Sequence, residues 1–209
     1  MARPMSQKFV LLVEGAGDEQ VAYHLFNHAA IPKDTIAVRN KQGYEKLVET
    51  LAVELAASEL EKIGIIVNAD SDLSARWESI RNELRSIGYM RTPDLPDTQG
   101  TIIYEAGRPA VGVWVMPNNQ LPGMIEDFVA LLIPKPDGLW TRAQNCVDQL
   151  PENERRFSQV HLAKAYVHTW LAWQAEPGTP MGLAITKRYL DANLPTGKNF
   201  IAWLTHLFQ

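Results

Sequence analysis

Phe9 to Glu19, FVLLVEGAGDE, is the stretch whose reading decides the fold. The apolar run Phe9 to Val13 is too short for a helix and is bounded by glycine, which predicts a short buried strand. Glu14 ends the run. Gly15 and Gly17 permit a tight turn with close backbone approach, and Asp18 and Glu19 open an amphipathic helix carrying Val21, Ala22, Leu25 and Phe26. One acid thus stands at the carboxyl end of a strand and two more at the start of the next helix. That edge is where open parallel sheets bind ligands.

The chain beyond repeats the arrangement. Thr35 to Arg39 predicts a second strand on its β-branched content, and Gly43 closes it. Leu47, Val48, Leu51, Leu55 and Leu60 follow helical spacing and predict a long helix over Tyr44 to Lys62, with Glu45, Lys46, Glu49 and Glu54 on its wetter side. Ile63 to Val67 is continuous and apolar, as strands covered on both faces tend to be, and it runs into Asn68, Asp70 and Asp72. Trp77, Ile80, Leu84 and Ile87 predict a helix over Ser74 to Ile87 whose charged residues Arg76, Glu78, Arg81 and Glu83 form a solvated face. TIIYE, the turn AGRP and AVGVWVMP read as a hairpin whose second arm, Val111 to Met116, is the fourth core strand. A short apolar helix over Met124 to Ile133 then opens with Glu126 and Asp127.

The texture changes at Pro134. Helical segments are expected near Thr141 to Leu150, Phe157 to Gln174, Gly182 to Ala192 and Asn199 to Phe208. The expected organisation is an α/β core over residues 1–134 and a helical extension over 135–209, packed on the core because Trp170, Leu171, Trp173, Phe200, Trp203, Leu204 and Phe208 need burial.

Composition bounds the function. The chain has 209 residues, 46% of them hydrophobic, enough for a packed interior. No apolar run approaches a membrane span, and Met1 to Lys8 is a polar start without a signal-peptide pattern, so a soluble cytoplasmic protein is expected. The single cysteine, Cys146, excludes an internal disulfide and is expected to be a buried or half-buried thiol. A net charge of -4 argues against broad coating of nucleic acid. It leaves room for a small phosphate site bridged by divalent cations.

Three strand-plus-helix units end in acid: Glu14 with Asp18 and Glu19, Asp70 with Asp72, and Glu126 with Asp127. Singly, each acid serves as a helix cap or dipole partner, worth about 0.3 to 1 kcal/mol. Jointly, parallel strands bring them to one edge, where two like charges ~4 Å apart cost on the order of 4 kcal/mol. A compensating positive charge is required, and hard oxygen ligands point to Mg²⁺ or Mn²⁺.

VEGAGDE after one strand, NADSD after another and GMIEDF later resemble the Toprim domain of topoisomerases, primases and OLD-family nucleases. The likeness covers residues 8 to 134 most closely. It implies a Rossmann-like, mainly parallel four-stranded sheet flanked by helices, with an added β-hairpin. It also implies that Glu14 is a metal ligand or general acid/base and that Asp70 is the second acid of a D-x-D pair. Asn68 stands where the first acid would be; it offers a carbonyl oxygen with one negative charge fewer, and Asp72 supplies a D-x-D displaced by two residues. Glu126 and Asp127 resemble the later acid used for a second metal, Asp18 joins the same ligand set, and Lys164 matches a downstream catalytic lysine.

Other motifs carry less. Gly15 to Gly17 lacks the third glycine of a dinucleotide fingerprint, since position 20 is Gln, and TGKN at Thr196 to Asn199 lacks the spacing of a P-loop. His24 and His28 lie at i, i+4 but without the surroundings of a zinc site, and the tail tryptophans read as core rather than a base-stacking platform. Two functions are therefore expected: a metal-dependent phosphodiester hydrolase acting on nucleic acid, or a catalytically inactive Toprim-shaped binding or regulatory module. A separately encoded ATPase partner follows by analogy with OLD-like systems, self-association into a homo-oligomer is left open, and no membrane is involved.

Overall fold

The computed structural model describes residues 8–32 and 34–209. Met1 to Gln7, most of the polar start, and Lys33 lie outside them. The elements are β1 (Phe9–Val13), α1 (Ala16–His28), β2 (Ala37–Asn40), α2 (Tyr44–Leu55), β3 (Lys62–Asn68), α3 (Leu73–Ser86), β4 (Thr101–Ile103), β5 (Ala110–Met116), α4 (Ile125–Ala130), α5 (Gly138–Asp148), a 3-10 turn (Gln159–His161), α6 (Leu162–Ala172), α7 (Met181–Thr186) and α8 (Pro195–Phe208). They build an α/β fold around a five-stranded sheet of order β2-β1-β3-β5-β4. Four strands are parallel, and the hairpin arm β4 joins antiparallel at the edge.

Alternation along the strands explains the two layers. Val10 and Leu12, Ile63, Ile65 and Val67, and Val111, Val113 and Val115 share one hydrophobic cluster with Leu47 and Leu51 of α2 and Trp77, Ile80 and Leu84 of α3. The intervening Leu11, Val13, Ile66, Trp114 and Met116 share the opposite cluster with α1 and with residues of α4 to α8. Both faces are buried, as continuous apolar strands require. On the second face the register pairs Gly64 with Gly112, and this bare patch seats α8. A methyl at Gly112 would collide with Leu207, and one at Gly64 would stand 2.6 Å from Leu11 and 3.2 Å from Phe208. The two glycines therefore let Trp203, Leu207 and Phe208 close directly on the sheet.

Several expected boundaries move. Gly15 is the N-cap of α1 in extended backbone, while Gly17 is already helical, where an added methyl would stand at ordinary contact distance, 3.4 and 3.6 Å, from Met181 and Ile125. The helix expected to reach Lys62 stops at Leu55. The N–H groups of Glu61 and Lys62 donate to Lys8 O at 2.8 and 3.0 Å, which draws them into the sheet instead. Glu54, read as wet, is half-buried and paired with Arg39 and Lys41. The helix expected over Phe157 to Gln174 begins only at Leu162, after the 3-10 turn, and α7 ends at Thr186, just before Arg188 turns at φ 60°. Trp173 is exposed at the end of α6, not buried with Trp170 and Trp203, and Cys146 is exposed on α5.

Candidate metal centre

The strand order creates a switch point. From β1 the chain crosses by α1 on one face to β2, and from β2 by α2 on the other face to β3, which lies on the far side of β1. The crevice between β1 and β3, at their carboxyl ends, is where doubly wound sheets place ligands. Glu14 and Asn68 meet there. Glu14 Oε1 accepts from Asn68 N at 2.8 Å and Oε2 from Asn68 Nδ2 at 3.0 Å, so both carboxylate oxygens are pinned across the crevice. Burial pushes the Glu14 carboxyl above the usual range, opposed by the two Asn68 donors and the Arg76 charge, while Asp70 adds a further rise. Asn68 Oδ1 is left buried without a hydrogen-bond partner.

Asp18 and Glu126 form the inner flank. Asp18 is the third residue of α1, 4% exposed, and its Oδ2 accepts from Gly15 N at 3.1 Å, which closes the helix start. Oδ1 is buried and has no partner. Burial first, then the charges of Glu14 and Glu126, push this carboxyl from the ordinary 3.8 up to about 7. Glu126, in the first turn of α4 and 2% exposed, pairs through Oε1 with Lys164 Nζ at 3.2 Å.

Asp70 and Arg76 form the outer flank. Asp70 adopts φ 52°, a left-handed conformation that Asp tolerates better than most residues, and its N–H donates to Gly123 O at 2.9 Å, tying the turn after β3 to the loop after β5. Its carboxylate pairs with Arg76, whose Cζ stands 3.6 Å from the centre of the Tyr44 ring. Arg76 is a correction: read as part of a solvated face, its side chain is 13% exposed and returns to the strand ends, and Arg81 is likewise folded back, onto Asp94.

The remaining acids are occupied locally. Asp72 caps α3, accepting from Ala75 N at 3.0 Å, and Asp127 accepts from Met124 N at 2.8 Å at the start of α4, with its carboxyl pushed up chiefly by burial. Glu14, Asp18, Glu126 and Asp70 lie within electrostatic reach of one another through Glu14 and Asp18. Among the described residues, no group of three or more His, Cys, Asp or Glu side chains is arranged to hold a metal ion. Part of the positive charge that the clustered acids call for comes from the chain itself. Arg76 pairs with Asp70 and Lys164 with Glu126, while the Asp18 carboxyl is pushed up to about 7.

The donor chemistry nevertheless fits a hard cation. Asp18 Oδ1 and Asn68 Oδ1 are buried, unpartnered oxygens on the two elements that Glu14 links, the kind of orphan that native interiors normally satisfy. His24 and His28 do not contribute: they face Thr186 Oγ1 and Asn193 Oδ1 at 2.7 and 3.4 Å, away from the sheet edge. Sequence reasoning missed Arg76 and took no note of the cleft beside Asp70, about 480 Å³, lined among others by Leu121, Trp140, Val160 and Tyr166.

No helix among the described residues is long and apolar enough to cross a membrane. No curated protein matches the chain. Among solved structures, the C-terminal region of the Xanthomonas campestris pv. campestris OLD protein is similar at 17% identity with a TM-score of 0.41, over 95% of this chain and 85% of that one. The family described as "Protein of unknown function (DUF3226)" has a model that matches residues 8–209, and the chain belongs to that family.

Proposed function

We propose that the protein is a Toprim-type, metal-dependent phosphodiester hydrolase acting on nucleic acid, in which Glu14, Asp18, Asn68, Asp70 and Glu126, with Asp72 and Asp127, would hold Mg²⁺ or Mn²⁺. The observation that carries this reading is the pair of orphaned buried oxygens, Asp18 Oδ1 and Asn68 Oδ1, on two residues that neighbour the pinned Glu14 at the switch point. The resemblance of VEGAGDE, NADSD and GMIEDF to Toprim motifs points the same way.

The bound ion would supply Lewis acidity toward a phosphodiester oxygen. The chain's own groups do the rest. Asn68 fixes the Glu14 carboxylate so that it keeps one orientation, and burial raises its proton affinity. Arg76, held over Tyr44 and beside Asp70, would offer a guanidinium to a phosphate at the rim. Lys164 holds Glu126 and is half exposed, so it can reach a leaving oxygen only by giving up that pair.

A second reading has its own support. Arg76 on Asp70 and Lys164 on Glu126 neutralise two of the acids, and Asn68 replaces a third, which suits a binding module that has lost catalysis and works beside an ATPase partner. Plasmid, single-stranded DNA and RNA cleavage with Mg²⁺ or Mn²⁺ decides between them. Metal-dependent cutting that disappears in both Glu14→Ala and Asp70→Ala supports the hydrolase; no cutting, with the metal still raising the melting temperature, supports the module.

A further inference from the structure

We infer that the cleft beside Asp70 is a nucleobase pocket serving the same centre, an inference that rests on the hydrolase reading for its substrate class. The cleft of about 480 Å³ shares Asp70, Gly123 and Asp127 with the rim and runs from there to α5, the 3-10 turn and α6. Its size falls in the range of small-ligand sites, roughly 300 to 1,000 Å³.

Its chemistry selects the occupant. No lysine, arginine or histidine lines it, and two carboxylates stand at the end nearest the rim, so a bare anion has no partner there. One wall is aromatic and rigid: Trp140 meets Tyr166 at 6.2 Å and 82° and Trp170 at 6.4 Å and 86°, both edge-on, and the Tyr166 hydroxyl is tied to Asp148. Leu121 and Val160, 51% and 55% exposed, face the opening and would be covered by a flat apolar body. Gln144 and Gln159 each add a donor and an acceptor. A flat, neutral group with N–H edges for carboxylates and amides, attached to a phosphate that remains at the rim, is a nucleoside of the substrate chain. Stacking on an aromatic wall is sequence-tolerant, so the pocket holds a base without dictating which.

The test titrates the full chain, with Mn²⁺, against adenosine 5′-monophosphate and ribose 5-phosphate, which differ only by the base, and without metal against adenosine. The nucleotide is expected to bind about tenfold tighter than ribose 5-phosphate, the scale of one stacked base. Val160→Glu at the opening and Ala163→Trp in the wall should each abolish that preference while the Mn²⁺-induced rise in melting temperature stays as in the parent. Equal binding of the two phosphates, or a preference surviving both substitutions, overturns the pocket. So does a dimer in solution that Val160→Glu dissociates without changing nucleotide binding. Adenosine separates this inference from the hydrolase reading: if it binds and is lost in both variants while no metal effect exists, the pocket stands and the hydrolase reading falls.

Discussion

The two flanks of the rim carry the same residue types at the same sheet edge and neutralise them differently. On the outer flank the Asp70 carboxylate is 42% exposed and meets a fixed guanidinium, Arg76. On the inner flank Asp18 is almost wholly buried and lies near two other acids, and its carboxyl is pushed up to about 7. Water and an ion pair make the outer charge cheap. Inside, burial raises the proton affinity of Asp18, and its Oδ1 is left without a partner. A cluster of acids is thus weak support for a metal until its compensation is known flank by flank.

The largest expected difference between the flanks is in pH dependence. In metal-free buffer the stability that protonated Asp18 provides is fully present below its unfolded value of 3.8 and is lost as pH rises through about 7, because unfolding then releases the proton. The loss is on the order of 4 kcal/mol. Asp18→Asn should remove that slope, leaving a chain more stable than the parent above about pH 7 in urea titrations across this range. Parallel curves for the two chains would show that Asp18 is ionised throughout and erase the contrast.

Lys164 tests the next step inward. Lys164→Met leaves the buried Glu126 charge without its partner and should lower stability by about 1 to 3 kcal/mol, less than for a fully buried pair because the lysine is half exposed. Adding Glu126→Gln should recover most of that loss. A double variant no better than the single one would mean that Lys164 acts through its packing.

The smallest effect belongs to the outer flank. Asp70→Asn should change stability by less than about 1 kcal/mol, and the change should fade in high salt, as for exposed ion pairs. A larger, salt-independent loss would show that the left-handed turn at Asp70 needs the carboxylate itself.

Much of this was legible in the sequence because it is local. The strand, acid and helix succession of FVLLVEGAGDE reappears as β1, Glu14 and α1, and the hairpin reappears as β4 and β5. What escaped is tertiary. Arg76 looks like any wet helix residue until the turn at Asp70 and the ring of Tyr44 come together around it. Nothing in the strand runs themselves marks Gly64 and Gly112, yet their registration opens the seat for α8. Leu60 continues a helical spacing, but backbone pairing of Glu61 and Lys62 with Lys8 ends that helix early. The proton affinity of Asp18 depends on burial and on Glu126, far away in the chain.

Diffraction from crystals grown with Mn²⁺ tests the central claim most directly, through the anomalous signal of the metal. The expected result is a peak in the crevice between the ends of β1 and β3, with Asp18 and Asn68 among its oxygen ligands. Saturating Mn²⁺ with no peak at that crevice, and Arg76 and Lys164 still on their acids, would contradict it.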